Sequence, residues 1–395
     1  MDTVILKLYG PKKFKIQKHD WFSPVVTRRY YKDLDPLEIN QPANRTWMRS
    51  FRLKAPVANK YLPQVKVFEI LDDKAKEVKY VMEVTFSVPK LLYGNSVLEV
   101  SENDFGKVLS ALQNALSRAG IVVSQQSLAE ARLVAVHLCK NVFLPKNLPL
   151  QHILKELSAV DITKVTDVTE RESKNGGQVF HLYSGTIGRV FYDKVADCLR
   201  PKNKRMDKGY VDQEREILDE YFLHSTEIFR YEYRLKKTVT VQRVVNKALD
   251  REPKKHTIFR DIFIVGIQKK ILLQSWHEVI DRAENQLALI GPVDRHQLLE
   301  HIVKNAKAGG YAHSKNNVLI AYGIANIIQD HGTKLFKRLM QANWDAEHPE
   351  RLNKKIGLAS ELTKGLPFAS GIAFIDAELQ KYELIIRQTL DNRTR

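Results

Sequence analysis

A tyrosine followed two residues on by a lysine, Tyr192-Asp-Lys194, stands at the end of the short strand-like run Thr186-Ile-Gly-Arg-Val-Phe191. A tyrosine hydroxyl is a weak nucleophile until a neighbour lowers its pKa or positions its target. A lysine at that spacing is placed to neutralise a phosphate lying against the hydroxyl. In a chain of net charge +17, the pair points to a tyrosine that attacks a nucleic-acid backbone. The commoner use of Tyr-x-Lys at a strand end is packing plus a solvated charge, since aromatic residues favour strands in any case.

Two further segments carry chemistry. Glu130-Ala-Arg-Leu-Val-Ala-Val-His-Leu-Cys-Lys-Asn141 reads as a buried strand, with Leu133, Ala135, His137 and Cys139 on one side. His137 is there either a core histidine or a ligand. Ile228-Phe-Arg-Tyr-Glu-Tyr-Arg-Leu-Lys236 puts Arg230, Glu232, Arg234 and Lys236 on one face, with Tyr231, Tyr233 and Leu235 on the other. Its plain reading is a half-exposed strand with paired charges.

Taken in this order, the three segments resemble the replication initiators of filamentous phages and related plasmids, the gene II/X family. The family pattern has a strand ending in a polar metal-side residue, here His137. A strand leading into Tyr-x-Lys follows, here Tyr192 and Lys194. An Arg-Phe/Tyr-Glu strand comes next, here Arg230-Tyr-Glu232 with basic residues through Lys237. A fourth segment, Met82-Glu-Val-Thr-Phe-Ser-Val-Pro-Lys-Leu-Leu-Tyr-Gly-Asn95, is similar to the family's Glu-containing strand. The resemblance covers roughly residues 1 to 280. It implies a rolling-circle initiator that nicks one origin strand, holds the 5′ phosphate on Tyr192 and later rejoins the strand. The wider superfamily often has a His-hydrophobe-His metal motif, and this chain has His137-Leu-Cys139 instead.

Phosphodiester transfer needs an in-line nucleophile, neutralised non-bridging oxygens and a stabilised leaving 3′ oxygen. A divalent ion supplies much of that. Mg²⁺ and Mn²⁺ prefer oxygen ligands, and Mn²⁺ tolerates imidazole. Glu83, His137 and Glu232 each sit mid-strand. On one sheet face they would form an open Mg²⁺ or Mn²⁺ site, although Glu83 has a lysine partner as its alternative.

Composition fits such an enzyme. A chain of 395 residues suggests two domains, and an apolar fraction of 44% is ample for a core. A pI near 9.6 makes a polyanionic partner the expectation. Two cysteines, Cys139 and Cys198, exclude a disulfide framework and a Cys-rich zinc site and fit a reducing cytoplasm, which the resemblance implies is that of a bacterial host. No targeting segment is visible, and nothing approaches the ~18 apolar residues of a membrane span.

Hydrophobic period places the motifs on elements. Residues 3 to 9, 46 to 54, 65 to 71 and 78 to 88 read as strands, and 10 to 45 as mostly loop. Phe105, Val108, Leu109, Leu112 and Leu116 recur at helical spacing, between Asn103-Asp104 and a stop at Gly120. The pattern is α+β, an antiparallel-rich sheet with helices on one face. The resemblance makes residues 1–237 the nicking domain. Residues 238–395 read as a helical bundle or, around Asp294 to Gln329, a helix-turn-helix. DNA contacts are expected from the basic loop carrying Arg200, Lys202, Lys204 and Arg205, and from Arg230 and Arg234. The expected partners are single-stranded and duplex origin DNA, with a host helicase and polymerase. The alternative is a DNA-binding replication regulator without catalysis. An RNA-directed enzyme would be expected to show stacking-aromatic and glycine motifs that are absent.

Overall fold

The computed structural model describes residues 1–10, 12–29, 46–53, 61–72, 77–161, 170–174, 179–199, 212–310, 314–343 and 349–394. Contacts divide the chain into two compact units, and each is discontinuous. Unit 1 gathers Met1–Asn141, Gly185–Leu272 and Glu383–Arg395; unit 2 gathers Val142–Ser184 and Leu273–Tyr382. The division expected at Lys237 therefore falls inside unit 1. A boundary read along the chain follows composition, whereas contacts join segments far apart in sequence.

The strands are β1 (Thr3–Tyr9), β2 (Phe14–Ile16), β3 (Phe22–Arg29), β4 (Thr46–Leu53), β5 (Gln64–Asp72), β6 (Glu77–Ser87), β7 (Ile121–Val123), β8 (Arg132–Phe143), β9 (Glu170–Lys174), β10 (Val179–Tyr183), β11 (Ile187–Asp193) and β12 (Ile228–Leu235). In unit 1 the sheet runs β3-β4-β5-β6-β1-β8-β12-β11. Pairing is antiparallel from β3 through β4, β5, β6 and β1 to β8, and again between β11 and β12. The α+β class holds. β1 shows why the strand forms: Val4, Leu6 and Leu8 are buried while the alternate residues are not, the period-2 pattern of a pleated strand.

β3 lies inside the stretch read as loop. Pro24 interrupts its apolar run, which demotes a strand in any sequence reading. The structure tolerates the proline because β3 is the outer strand of the order and its register shifts between Pro24 and Val26. The helix Phe105–Arg118 forms as its spacing predicts, burying Val108, Leu109, Leu112, Ala115 and Leu116. A capping box between Ser101 and Asp104 starts the preceding turn. Gly120 ends the run at φ +73°, where an added Cβ would lie 2.8 Å from the Lys18 side chain.

β12 differs from its expected half-exposure. Nearly every residue is buried on both faces. On one face Phe191 stacks on Tyr231 with ring centroids 5.1 Å apart, and the Arg189 guanidinium lies 5.1 Å from the Tyr233 ring centroid. The other face carries the charges.

A buried ion pair anchors the chain end to unit 1. Glu99 accepts from Lys140 Nζ at 2.6 Å, from the Asn141 amide at 2.7 Å and from the Ile385 amide at 2.9 Å. Both side chains are at most 3% exposed. Removing one member of such a pair strands the other charge in the interior, at about 3–5 kcal/mol. Glu99→Ala should lose stability on that scale in urea unfolding. A loss under about 1 kcal/mol, the value of a surface pair, would show that the pair is solvated.

Unit 2 contains the helix Leu150–Ala159, the β9–β10 hairpin and most of the later helices. Its core packs Leu298, Ile302 and Ala306 against Ala321, Ile324, Ala325 and Ile328. The helices Arg295–Ala308 and Lys315–His331 thus belong to a bundle, which continues through Leu352, Ile356 and Ala359 of the helix Pro349–Leu362. No helix among the described residues is long and apolar enough to cross a membrane.

Candidate active site

Tyr192 is the second-last residue of β11, and Arg230, Glu232 and Arg234 alternate along β12. The antiparallel register sets Tyr192 opposite Arg230 and Val190 opposite Glu232. Glu232 is therefore a diagonal neighbour of Tyr192, within reach of a long aromatic side chain. The Tyr192 hydroxyl donates to Glu232 Oε1 at 2.6 Å. Arg230 Nε donates to the same oxygen at 2.8 Å. Arg234 grips Oε2 through Nε at 2.8 Å and a terminal nitrogen at 2.5 Å.

The rest of the cluster comes from elsewhere in unit 1. Arg230 reaches Asp2 Oδ2 at 2.9 Å, the Ser96 carbonyl at 2.9 Å and Asn141 Oδ1 at 3.4 Å. Ser87 Oγ donates to Asp2 Oδ1 at 2.7 Å. β11 ends at Asp193, whose carboxylate caps the helix Lys194–Cys198. Lys194 is thereby turned into the first helical position, buried and paired with Asp197 at 3.1 Å. Asp2, Ser96 and Asn141 were not anticipated. Nothing local marks them, because their roles arise from contacts between segments far apart in sequence.

Burial pushes the Glu232 carboxyl up, but the Arg234 and Arg230 guanidiniums outweigh it and hold it well below the usual range. Burial raises the Tyr192 hydroxyl well above its usual pKa, with Arg230 pulling the other way. In the resting arrangement the tyrosine is protonated and the glutamate ionised. His137 on β8 is half-buried, and its side chain makes no hydrogen bond to another described residue. Burial lowers its pKa from 6.5 to about 4, against the attraction of Glu232.

The lowered His137 pKa bears on acid stability. Between those two values the unfolded chain takes up a proton that the folded chain refuses, so stability is lost as pH falls from about 6.5 to about 4. At about 1.4 kcal/mol per pKa unit, the loss approaches 3 kcal/mol. Unfolding of His137→Gln should show a flatter dependence across that window. An unchanged slope would place the acid sensitivity on other groups.

Glu83 is not part of this cluster. It lies between Lys7 and Lys66, 3.7 Å from each. β1 pairs Lys7 with Glu83 and Thr3 with Ser87, while the Asp2 amide donates to the His137 carbonyl at 2.8 Å. Glu83 is thus four residues along the ladder from His137, about 13 Å at the usual strand rise. Glu232 does not suit Mg²⁺ or Mn²⁺ as it stands. Its four lone-pair positions already accept four donors, and two of its partners are cations. Among the described residues, no group of three or more His, Cys, Asp or Glu side chains is placed to hold a metal ion.

The expected DNA contacts are distributed unevenly. Arg230 is fully buried, so it is no surface contact, whereas the Arg234 side chain is 30% exposed. Arg200, Lys202, Lys204 and Arg205 lie outside the described residues. A cavity of about 520 Å³ in unit 1 is lined by Tyr61, Lys90, Tyr93, Asn95, Arg118 and Arg387, among others. Its Asn95 directly precedes Ser96, whose carbonyl accepts from Arg230.

Comparison with protein-family models, with curated proteins and with solved structures finds no match for this chain.

Proposed function

We propose that this chain is a rolling-circle replication initiator that nicks and rejoins DNA through Tyr192. One observation carries the reading. The three segments that bear the resemblance, far apart in sequence, lie on consecutive strands β8, β12 and β11, and there the Tyr192 hydroxyl is hydrogen-bonded to Glu232. A tyrosine within hydrogen-bond reach of a carboxylate, itself oriented by a third group, is the arrangement an activated nucleophile requires.

In the proposed reaction Tyr192 Oη attacks the scissile phosphorus while its proton passes to Glu232 Oε1. The bond from phosphorus to the 3′ oxygen breaks, and the departing alkoxide takes a proton from solvent water, while Glu232 later returns its own proton to solvent. The 5′ phosphate remains on the tyrosine, and the 3′ hydroxyl is free to prime synthesis. Reversal by a 3′ hydroxyl closes the strand. The nearby cavity, lined by Lys90, Arg118 and Arg387 together with Glu216 and Glu220, offers room for a flanking nucleotide, and the net charge of +17 favours a polyanion.

The test uses single-stranded oligonucleotides of random sequence labelled at the 3′ end, so that the origin sequence need not be identified first. Incubation with the full chain should give a labelled protein band that survives denaturing electrophoresis. DNA binding without such a band would favour the non-catalytic regulator instead.

A further inference from the structure

The cluster around Tyr192 has cations where the chemistry calls for a metal. We infer that the scissile phosphate is held by Arg234 in a metal-free site, with the buried Arg230 and Lys194 adding positive charge behind it. This rests on the proposed nicking reaction and specifies how its charge is neutralised.

Three features lead there. Both Glu232 oxygens are occupied, Oε1 by Tyr192 and Arg230 and Oε2 by the two nitrogens of Arg234. A divalent ion would have to displace a guanidinium and sit beside a second one. Asp2, the other carboxylate of the cluster, is held by Ser87 and Arg230, so no acidic pair is left open to ligate an ion. Meanwhile, three permanent cations surround the nucleophile. Arg230 lies 6.0 Å from the Tyr192 ring centroid, Arg234 is bound to the same carboxylate as the tyrosine, and Lys194 is two residues along the chain.

Arg234 is the exposed member, at 30% against 1% for Arg230 and 4% for Lys194. Its planar fork matches two phosphate oxygens as well as it matches a carboxylate. An incoming phosphate exchanges with Glu232 for that fork. The exchange puts a guanidinium on the non-bridging oxygens and uncovers Glu232 Oε2, while Oε1 stays on the tyrosine. The site thus neutralises the phosphate and releases its own base in one movement. The bonds made and broken are those of the proposed nicking step, and no further reactant is needed.

The experiment repeats the labelled random-oligonucleotide assay with and without excess EDTA, and measures Mn²⁺ binding by electron paramagnetic resonance on the same protein. The expected result is equal adduct formation in both conditions, with no Mn²⁺ signal that Glu232→Gln removes. Arg234→Gln should slow adduct formation about 10²–10³-fold, the usual cost of one oriented donor at a developing charge. Arg234→Lys, which keeps the charge and loses the fork, should fall between the two. An adduct that forms only with metal, together with Mn²⁺ bound through Glu232, overturns the inference and leaves the nicking function standing. An adduct in EDTA that is indifferent to Arg234→Gln overturns the role of Arg234. No adduct in either condition removes the nicking function itself, and the inference with it.

Discussion

Replacing Tyr192 with phenylalanine should abolish covalent attachment to DNA while leaving the fold and most DNA affinity in place. The substitution deletes one hydroxyl and almost no contact area. Glu232 Oε1 keeps its bond from Arg230 at 2.8 Å, so the carboxylate is not orphaned. The stability cost should be about 1.5–3 kcal/mol at most, the range for a hydrogen bond to a charged group. The catalytic cost should be complete, because no other atom of the cluster can take the 5′ phosphate from the same position. The comparison needs two readouts: labelled adduct in denaturing gels, and binding of the same oligonucleotide by fluorescence anisotropy. Undiminished adduct in the phenylalanine variant would contradict the assignment of the nucleophile.

Glu232→Gln should have the second-largest effect, on stability as well as chemistry. Glu232 is the common partner of Tyr192, Arg230 and Arg234. Neutralising it leaves the part-exposed Arg234 without a countercharge and the buried Arg230 with Asp2 alone. The loss should therefore fall below the about 3–5 kcal/mol of a fully uncompensated buried charge, and the proton acceptor for Tyr192 is lost at the same time. Stability and catalysis can be separated by adding Arg234→Gln to the glutamine variant. Removing the second charge should recover part of the lost stability and none of the adduct. Neighbours in one network are expected to be non-additive in this way. Additive losses in urea unfolding would mean that the two side chains do not share the electrostatic environment the geometry gives them.

The elements that hold this cluster were largely legible in the sequence. Alternating faces marked β8, a short strand-like run marked β11, and the charged alternation of β12 put Arg230, Glu232 and Arg234 on one face. Two features misled. Charges on alternate positions look like solvent exposure, yet on β12 they neutralise one another inside unit 1, as buried charges must. A proline in an apolar run looks like a loop, yet β3 is a strand because its outer position needs fewer ladder bonds. The partners of Arg230 were beyond reach for another reason. Asp2 and Asn141 meet it because β1, β8 and β12 are neighbours in the sheet, and Ser96 meets it from the bend after the helix Val88–Tyr93; none of these contacts is written in local periodicity. The same holds for Glu83. Its mid-strand position matched that of Glu232, and only the ladder register shows it beside Lys7 and Lys66, away from the nucleophile. The division into units was hidden likewise, since a chain that leaves and re-enters a unit carries no mark at the crossing points.

In the proposed reaction Tyr192 becomes joined to a 5′ phosphate. The most direct measurement isolates the adduct formed with random-sequence oligonucleotides, digests both components and locates the modified peptide by tandem mass spectrometry. One nucleotide-bearing peptide is expected, with the added mass on Tyr192 of the segment Ile187–Asp193. A nucleotide found on any other residue, or no adduct with DNA that the protein demonstrably binds, would contradict it.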